Sequence, residues 1–168
     1  MSTLPASSRK DPLTIIGDGP LMDNLVQKAE RLAINVNFMG AQPRNVVFDA
    51  MTKHRIFAMP SIRAANGDSE GLPIVLMEAQ ALGMAVVAFD EGPMREAIKP
   101  CHSGLLARAR DPKDFAEQLH HLISSPVLCE VMGQAGRAHV EEQFNISSSI
   151  AELEDYYDEV MARSGVNA

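Results

Sequence analysis

Leu13-Thr14-Ile15-Ile16-Gly17-Asp18-Gly19-Pro20 is a short β-branched apolar run that stops at a glycine turn. Leu21, Leu25, Ala29 and Leu32 then recur at helical spacing, so the reading is strand, tight turn, helix. Working outward, Val36 to Phe38 followed by Gly40 predicts a second strand, Asn45 to Thr52 a second helix, and Arg55 to Met59 a third strand closed by Pro60-Ser61. A polar loop from Ile62 to Ser69 leads to a helix from Pro73 to about Leu82. Next come a strand from Ala85 to Phe89, a short helix from Pro93 to Ile98 and a strand from Gly104 to Ala107. Strands that alternate with helices and are apolar on both faces form parallel sheets covered by helices and joined by right-handed crossovers. The expected fold class is therefore α/β, a doubly wound parallel sheet.

From Pro112 the pattern is helical throughout, with Asp111-Pro112 and Ser125-Pro126 marking helix starts. Phe115, Leu119, Leu122 and Ile123 form one stripe, Leu128, Val131 and Met132 begin another, and Ile146, Ile150, Leu153 and Tyr157 form a third. The last helix carries Glu152, Glu154, Asp155, Asp158 and Glu159 on its other faces, a solvated surface. The expected division is a flexible N-terminal segment over 1–12, an α/β domain over 13–144 and a C-terminal amphipathic helix over 145–168.

The chain has 168 residues, with fifteen Lys and Arg against twenty-two Asp and Glu, a net charge of −7. That balance argues against nucleic acid as a partner, because such binding rests on cationic neutralisation of phosphates. No apolar run approaches the roughly 18–20 residues that cross a bilayer, since Glu78 and Gln80 interrupt the stretch from Leu72 to Phe89. Met1 to Pro12 do not resemble a secretory signal, and Cys101 and Cys129 form no metal-binding spacing, so two inert thiols in a reducing cytoplasm are expected. With two Tyr and no Trp, any sugar would be recognised by hydrogen bonds rather than by stacking.

Ligands of open parallel sheets bind at the carboxyl ends of the strands. Three loops there combine glycine with a helix start: Gly17-Asp18-Gly19-Pro20, the long loop through Asn66 to Gly71, and Asp90-Glu91-Gly92-Pro93. Met22 stands where a dinucleotide fingerprint needs a third glycine, and no phosphate-loop pattern is present, so a nicotinamide site or an ATPase is disfavoured. Gly17 and Gly19 either permit a tight turn or admit a ligand to the backbone; both readings stand.

The second loop is more informative. Glu70-Gly71-Leu72-Pro73-Ile74-Val75-Leu76-Met77-Glu78 sets two carboxylates eight positions apart across a helix start. Pro73 suits the first turn, and the free amides from about Leu72 to Val75, at the positive end of the helix, make a seat for a phosphate. Glu78 would lie roughly 7 Å further along the axis at about 1.5 Å per residue. It is set among Ile74, Val75, Leu76, Met77, Ala79, Ala81 and Leu82, where an ionised carboxylate needs donors. A ribose diol can donate two hydrogen bonds to it, or a neighbouring Arg or Lys can pair with it; the residues alone leave both open.

These residues, taken in order, resemble the C-terminal donor-binding domain of retaining glycosyltransferases of the GT-B fold, the sucrose-synthase-like and mannosyltransferase-like group of family four. They are Ile15 to Pro20, Val36 to Gly40, Met59-Pro60-Ser61, Glu70 to Pro73, Glu78-Ala79 with Ala81 and Gly83, Val86-Val87, Glu96, and Ser103 to Leu106. The likeness runs from about Leu13 to Phe144. It implies a Rossmann-like half of a GT-B fold that binds a nucleotide-diphosphate sugar, with a UDP or GDP base, for retaining hexosyl transfer.

On that resemblance Glu78 holds the ribose. Glu70 is the catalytic candidate near the hydroxyls of the transferred sugar. Gly71, Leu72, Pro73, Ile74 and Val75 face sugar and phosphate, Gly17, Gly19 and Ser61 border the cleft, and Met39 and Gly40 lie near the base. No metal and no cofactor beyond the donor substrate is implied, and no DxD pair is present. Members begin this domain with a further strand and helix bearing an Arg and a Lys, to which nothing in Met1 to Pro12 corresponds, and they carry an acceptor domain before it. The chain is therefore expected to work with an acceptor domain or separate subunit and to be inactive without one. Its last helix is expected to self-associate or lack order without that partner, and the full-length enzyme to sit in the cytoplasm or peripherally at the inner membrane. The alternatives are a non-catalytic nucleotide-binding or interaction module and a sugar-nucleotide epimerase relative.

The remaining candidates are plainer. His54, His102, His120, His121 and His139 show no ligand spacing and read as structural or exposed. Arg63 and Arg95 either help neutralise a diphosphate or are surface charges, and Glu96 is expected to stabilise its helix dipole.

Overall fold

The computed structural model describes Leu4, residues 11–63 and residues 71–164. Among the described residues five strands alternate with helices: β1 (Leu13–Ile15), α1 (Met22–Arg31), β2 (Val36–Phe38), α2 (Arg44–Thr52), β3 (Ile56–Met59), α3 (Ile74–Ala81), β4 (Ala85–Phe89), α4 (Met94–Ala97) and β5 (Leu105–Ala107). Three helices follow, α5 (Pro112–Ser124), α6 (Pro126–Gln143) and α7 (Ile146–Ser164). All strand pairs are parallel, with Leu13 opposite Val36, Ile56 opposite Ala85 and Val87 opposite Leu105.

Main-chain hydrogen bonds divide the described strands into two sheets, β1–β2 and β3–β4–β5, where one continuous sheet was expected. The common doubly wound order, 3-2-1-4-5-6, falls into such a pair and triplet when it is interrupted at its middle strand. Between β1 and the start of β3 runs a side-chain bridge. His54 Nδ1 lies 2.7 Å from the Ala50 carbonyl and Nε2 lies 3.0 Å from Thr14 Oγ1. In the neutral ring the first nitrogen must donate, so the second accepts the threonine hydroxyl.

The core lies around β4, all five residues of which are buried. Alternation along the strand sorts its side chains. Val86 and Ala88 pack with Leu76, Ala79, Met94 and Ile98 on the α3 side. Ala85 and Val87 pack with Leu105, Leu122, Cys129 and Met132 on the α5–α6 side, and the Phe89 ring meets Phe115 at 4.8 Å. By contrast, β1, β2 and α1 contain no buried residue. Leu4 is buried at 1% exposure, so the N-terminal segment contributes at least one side chain to the interior.

Helix starts follow their sequence signals. Asp111 Oδ1 accepts the N–H groups of Lys113 and Asp114, and Ser125 Oγ accepts that of Leu128, each ahead of a proline in the first turn. α6 packs so closely on the turn between α3 and β4 that a Cβ at Gly133 would come within 2.0 Å of the Gly83 carbonyl oxygen. Every α7 residue from 146 to 163 is exposed, and its apolar stripe of Ile146, Ile150, Leu153 and Tyr157 faces solvent.

Candidate functional site

The loops after β1 and β2 are joined by main-chain hydrogen bonds. The Gly17 N–H donates to the Gly40 carbonyl at 2.8 Å, and the Met39 N–H donates to the Ile15 carbonyl at 3.0 Å. Both glycines adopt positive φ, +138° at Gly17 and +65° at Gly40, and a Cβ at either would meet nothing within 4 Å. Conformation, not crowding, therefore calls for glycine there, and the space in front of both loops is open. A Cβ at Gly19 or Gly71 likewise meets nothing within 4 Å. Gly19 donates to its neighbour Asp18 Oδ1 at 2.8 Å, and Gln42 Nε2 donates to the Met39 carbonyl at 2.6 Å.

α3 begins one residue later than the sequence suggests, with buried Pro73 as its N-cap residue. A proline there fixes the chain direction without spending a helical donor. The Pro73 carbonyl accepts from Leu76 at 3.0 Å, while the N–H groups of Ile74 and Val75 find no backbone acceptor among the described residues. Ile74 and Gly71 are exposed, and Leu72, Val75 and Ser61 are half-buried. Glu70 falls outside the described residues, as do Asn66 to Ser69.

Glu78, on the second turn of α3, is 21% exposed, and its Oε1 accepts from Arg44 Nη2 at 2.7 Å. Of the two partners the sequence allows that carboxylate, an arginine is present here. The pair lies at the surface, for the Arg44 side chain is 79% exposed and its guanidinium sits 5.0 Å from the Phe48 ring centroid. Arg44 is the first residue of α2, just past the Met39-Gly40 loop, so the ion pair links the start of that helix to α3. Sequence reasoning missed Arg44, which nothing local distinguishes from any other helix-start cation.

Arg95 is occupied. It pairs with Asp90 through both Nε, at 2.8 Å, and Nη2, and its hydrogen bond to that carboxylate, then the charge, raises its pKa above the ordinary value. Arg63 is exposed, but its main chain is held by Glu91 and Arg110. Of the histidines, His139 stands edge-on to Phe144 at 6.0 Å. Among the described residues no three of His, Cys, Asp and Glu gather closely enough to hold a metal ion, and no helix is long and apolar enough to cross a membrane.

A 21% exposed acid on the helix that follows the third strand, amides at that helix's start without a backbone acceptor among the described residues and two open glycine loops stand at the carboxyl ends of the strands in a fold that matches GT-B glycosyltransferases. The chain belongs to the glycosyl transferases group 1 family, whose family model matches residues 1–139. It is 36% identical over 134 residues to the GDP-mannose-dependent monoacylated alpha-(1-6)-phosphatidylinositol monomannoside mannosyltransferase of Corynebacterium glutamicum, covering 79% of this chain and 35% of the relative. It is 34% identical over 132 residues to the amylovoran biosynthesis glycosyltransferase AmsK of Erwinia amylovora, covering 79% of this chain and 30% of that protein. Anabaena Alr3699/HepE, solved in complex with UDP-glucose, superposes with a TM-score of 0.76 over 94% of this chain and 43% of that one, at 19% identity. The chain thus spans about a third of the length of the curated relatives it matches.

Proposed function

We propose that this chain is the donor-binding part of a retaining glycosyltransferase and takes a nucleotide-diphosphate sugar at the carboxyl ends of its strands. The observation that carries this reading is the placement of Glu78: 21% exposed and one turn beyond the amides of Ile74 and Val75, which find no backbone acceptor among the described residues. The diphosphate lies at those amides, with Gly71, Leu72 and Pro73 beside it, and the ribose diol donates to Glu78 Oε2, the oxygen that the Arg44 pair through Oε1 leaves over. Gly17, Gly19 and Ser61 border the cleft, Met39 and Gly40 lie near the base, and Glu70 acts at the transferred sugar. As the glycosidic bond breaks, negative charge grows on the leaving diphosphate, and preorganised amides stabilise it. An acceptor domain or subunit holds the acceptor against the anomeric carbon.

Calorimetric titration with UDP-glucose and GDP-mannose at millimolar concentration tests this. Binding of one donor, weakened in Glu78→Ala, is expected; no heat with either donor would overturn it. A second reading, a non-catalytic nucleotide-binding module, is favoured by the interruption between β1 and β3. It is told apart by donor binding without transfer once an acceptor domain is supplied.

A further inference from the structure

Beyond Met59, Phe89 and Ala107, the last residues of β3, β4 and β5, the chain runs on to Arg63, Glu91 and Arg110, and these three residues meet. Glu91 is set by its own main chain, its N–H donating to the Phe89 carbonyl at 2.9 Å, while the preceding Asp90 N–H reaches the Ala107 carbonyl at 2.7 Å. Its Oε1 accepts from the Arg63 N–H at 3.2 Å and from Arg110 Nη2 at 3.3 Å. The same Arg110 nitrogen donates to the Arg63 carbonyl at 2.8 Å. Both main-chain polar groups of Arg63 are thus held by one ion pair that spans the other two strand ends. The Glu91 side chain is 23% exposed, and its Oε2 is shut off from solvent without a hydrogen-bond partner among the described residues. The Arg110 side chain is 57% exposed, so the pair is closed to water on its carboxylate side. Arg110 itself sits at φ +58°, a conformation non-glycine residues rarely keep without support.

Resting on the donor-site reading, we propose that Glu91 and Arg110 are positioning residues that fix the segment Ser61 to Arg63 in its binding-competent course and so set donor affinity without touching the donor. A segment held in one course has no ordering cost left at binding. One that wanders binds more weakly by the fraction of time it spends competent.

The experiment uses the full chain with Glu91→Ala, Arg110→Ala, the double variant and Glu91→Gln, each titrated with UDP-glucose and GDP-mannose, alongside Glu78→Ala and thermal unfolding. Each single alanine variant is expected to weaken donor binding about tenfold, as for a competent fraction reduced to one tenth. The double variant should be no weaker than the singles, because either one opens the same clamp. Glu91→Gln should recover most of the affinity, since its amide oxygen can accept both donors that Glu91 Oε1 accepts, the Arg63 N–H and Arg110 Nη2. A merely structural role would lower the unfolding midpoint without this non-additivity and rescue. Alanine variants that bind donor like the unsubstituted chain, or a double variant that loses the product of the two single effects, overturn the proposal. That failure is distinct from failure of the donor-site reading, in which the unsubstituted chain itself binds neither donor.

Discussion

Replacing Gly133 by alanine tests how α6 fixes the position of α3. The added Cβ would lie 2.0 Å from the Gly83 carbonyl oxygen and 2.9 Å from its carbon, where ordinary contact begins at 3.4 Å, so relief takes a shift of 3.4 − 2.0 = 1.4 Å. Both obstacles are main chain, which has no rotamer with which to yield. α6 also carries Cys129, Met132 and Gly136 into the interior, and these must follow any shift. Overpacking of this kind costs up to about 3 kcal/mol. The gain in helix propensity from glycine to alanine returns about 1 kcal/mol, leaving a net loss of about 2 kcal/mol. At about 2–4 °C per kcal/mol for a chain of this size, the unfolding midpoint should fall by about 4–8 °C in calorimetry. Gln134→Ala, one position on at an exposed site, serves as the control and should move it little. If Gly133→Ala is as stable as the parent, or more so by the propensity gain, the close approach of α6 to the turn after α3 is wrong. The position of Glu78 on α3 would then lose its main support.

Two further outcomes follow from ionisable groups. The Arg108 N–H, bonded to Asp114 Oδ2 at 2.6 Å, is the foremost cause holding the Asp114 carboxyl below its ordinary value of 3.8. A depressed folded-state pKa contributes stability that is present above 3.8 and lost as pH falls through the lower folded value. In urea denaturation across that acid range, Asp114→Asn should therefore lose less stability than the parent, and an unchanged acid limb would refute the assignment. Burial pushes the Cys129 thiol up, partly countered by the charge of Arg55, and its Sγ donates to the Leu122 carbonyl at 3.1 Å. Exposed Cys101 should thus react with a colorimetric thiol reagent in the native protein, and Cys129 only after unfolding; two fast thiols would count against that core.

Patterns of local origin were legible in the sequence. β4 was read to the residue, because five apolar positions between turn signals leave little alternative. The proline-led starts of α5 and α6 matched their capping residues, Asp111 and Ser125. Pairing between strands was not legible, since β1 carries the same apolar character whether or not β3 lies beside it, and so the break between the sheets had no signal. The same limit hid the ion pairs. Arg44 and Glu78 are 34 positions apart, Glu91 and Arg110 are 19 apart, and only the fold brings either pair together. Gly133 reads in sequence as a weak point in a helix, whereas in three dimensions it is a clearance.

The break between β1 and β3 has a bearing on how the molecule behaves in bulk. Each strand offers, along the side turned from its partner, main-chain groups with no ladder to join among the described strands, and rows of that kind are adhesive toward any extended polypeptide. The brevity of these rows, three residues in β1 and four in β3, keeps that stickiness small, and the excess of acidic side chains keeps like molecules apart. The two short seams are thus places where an incoming strand could knit the pair and the triplet into one continuous sheet.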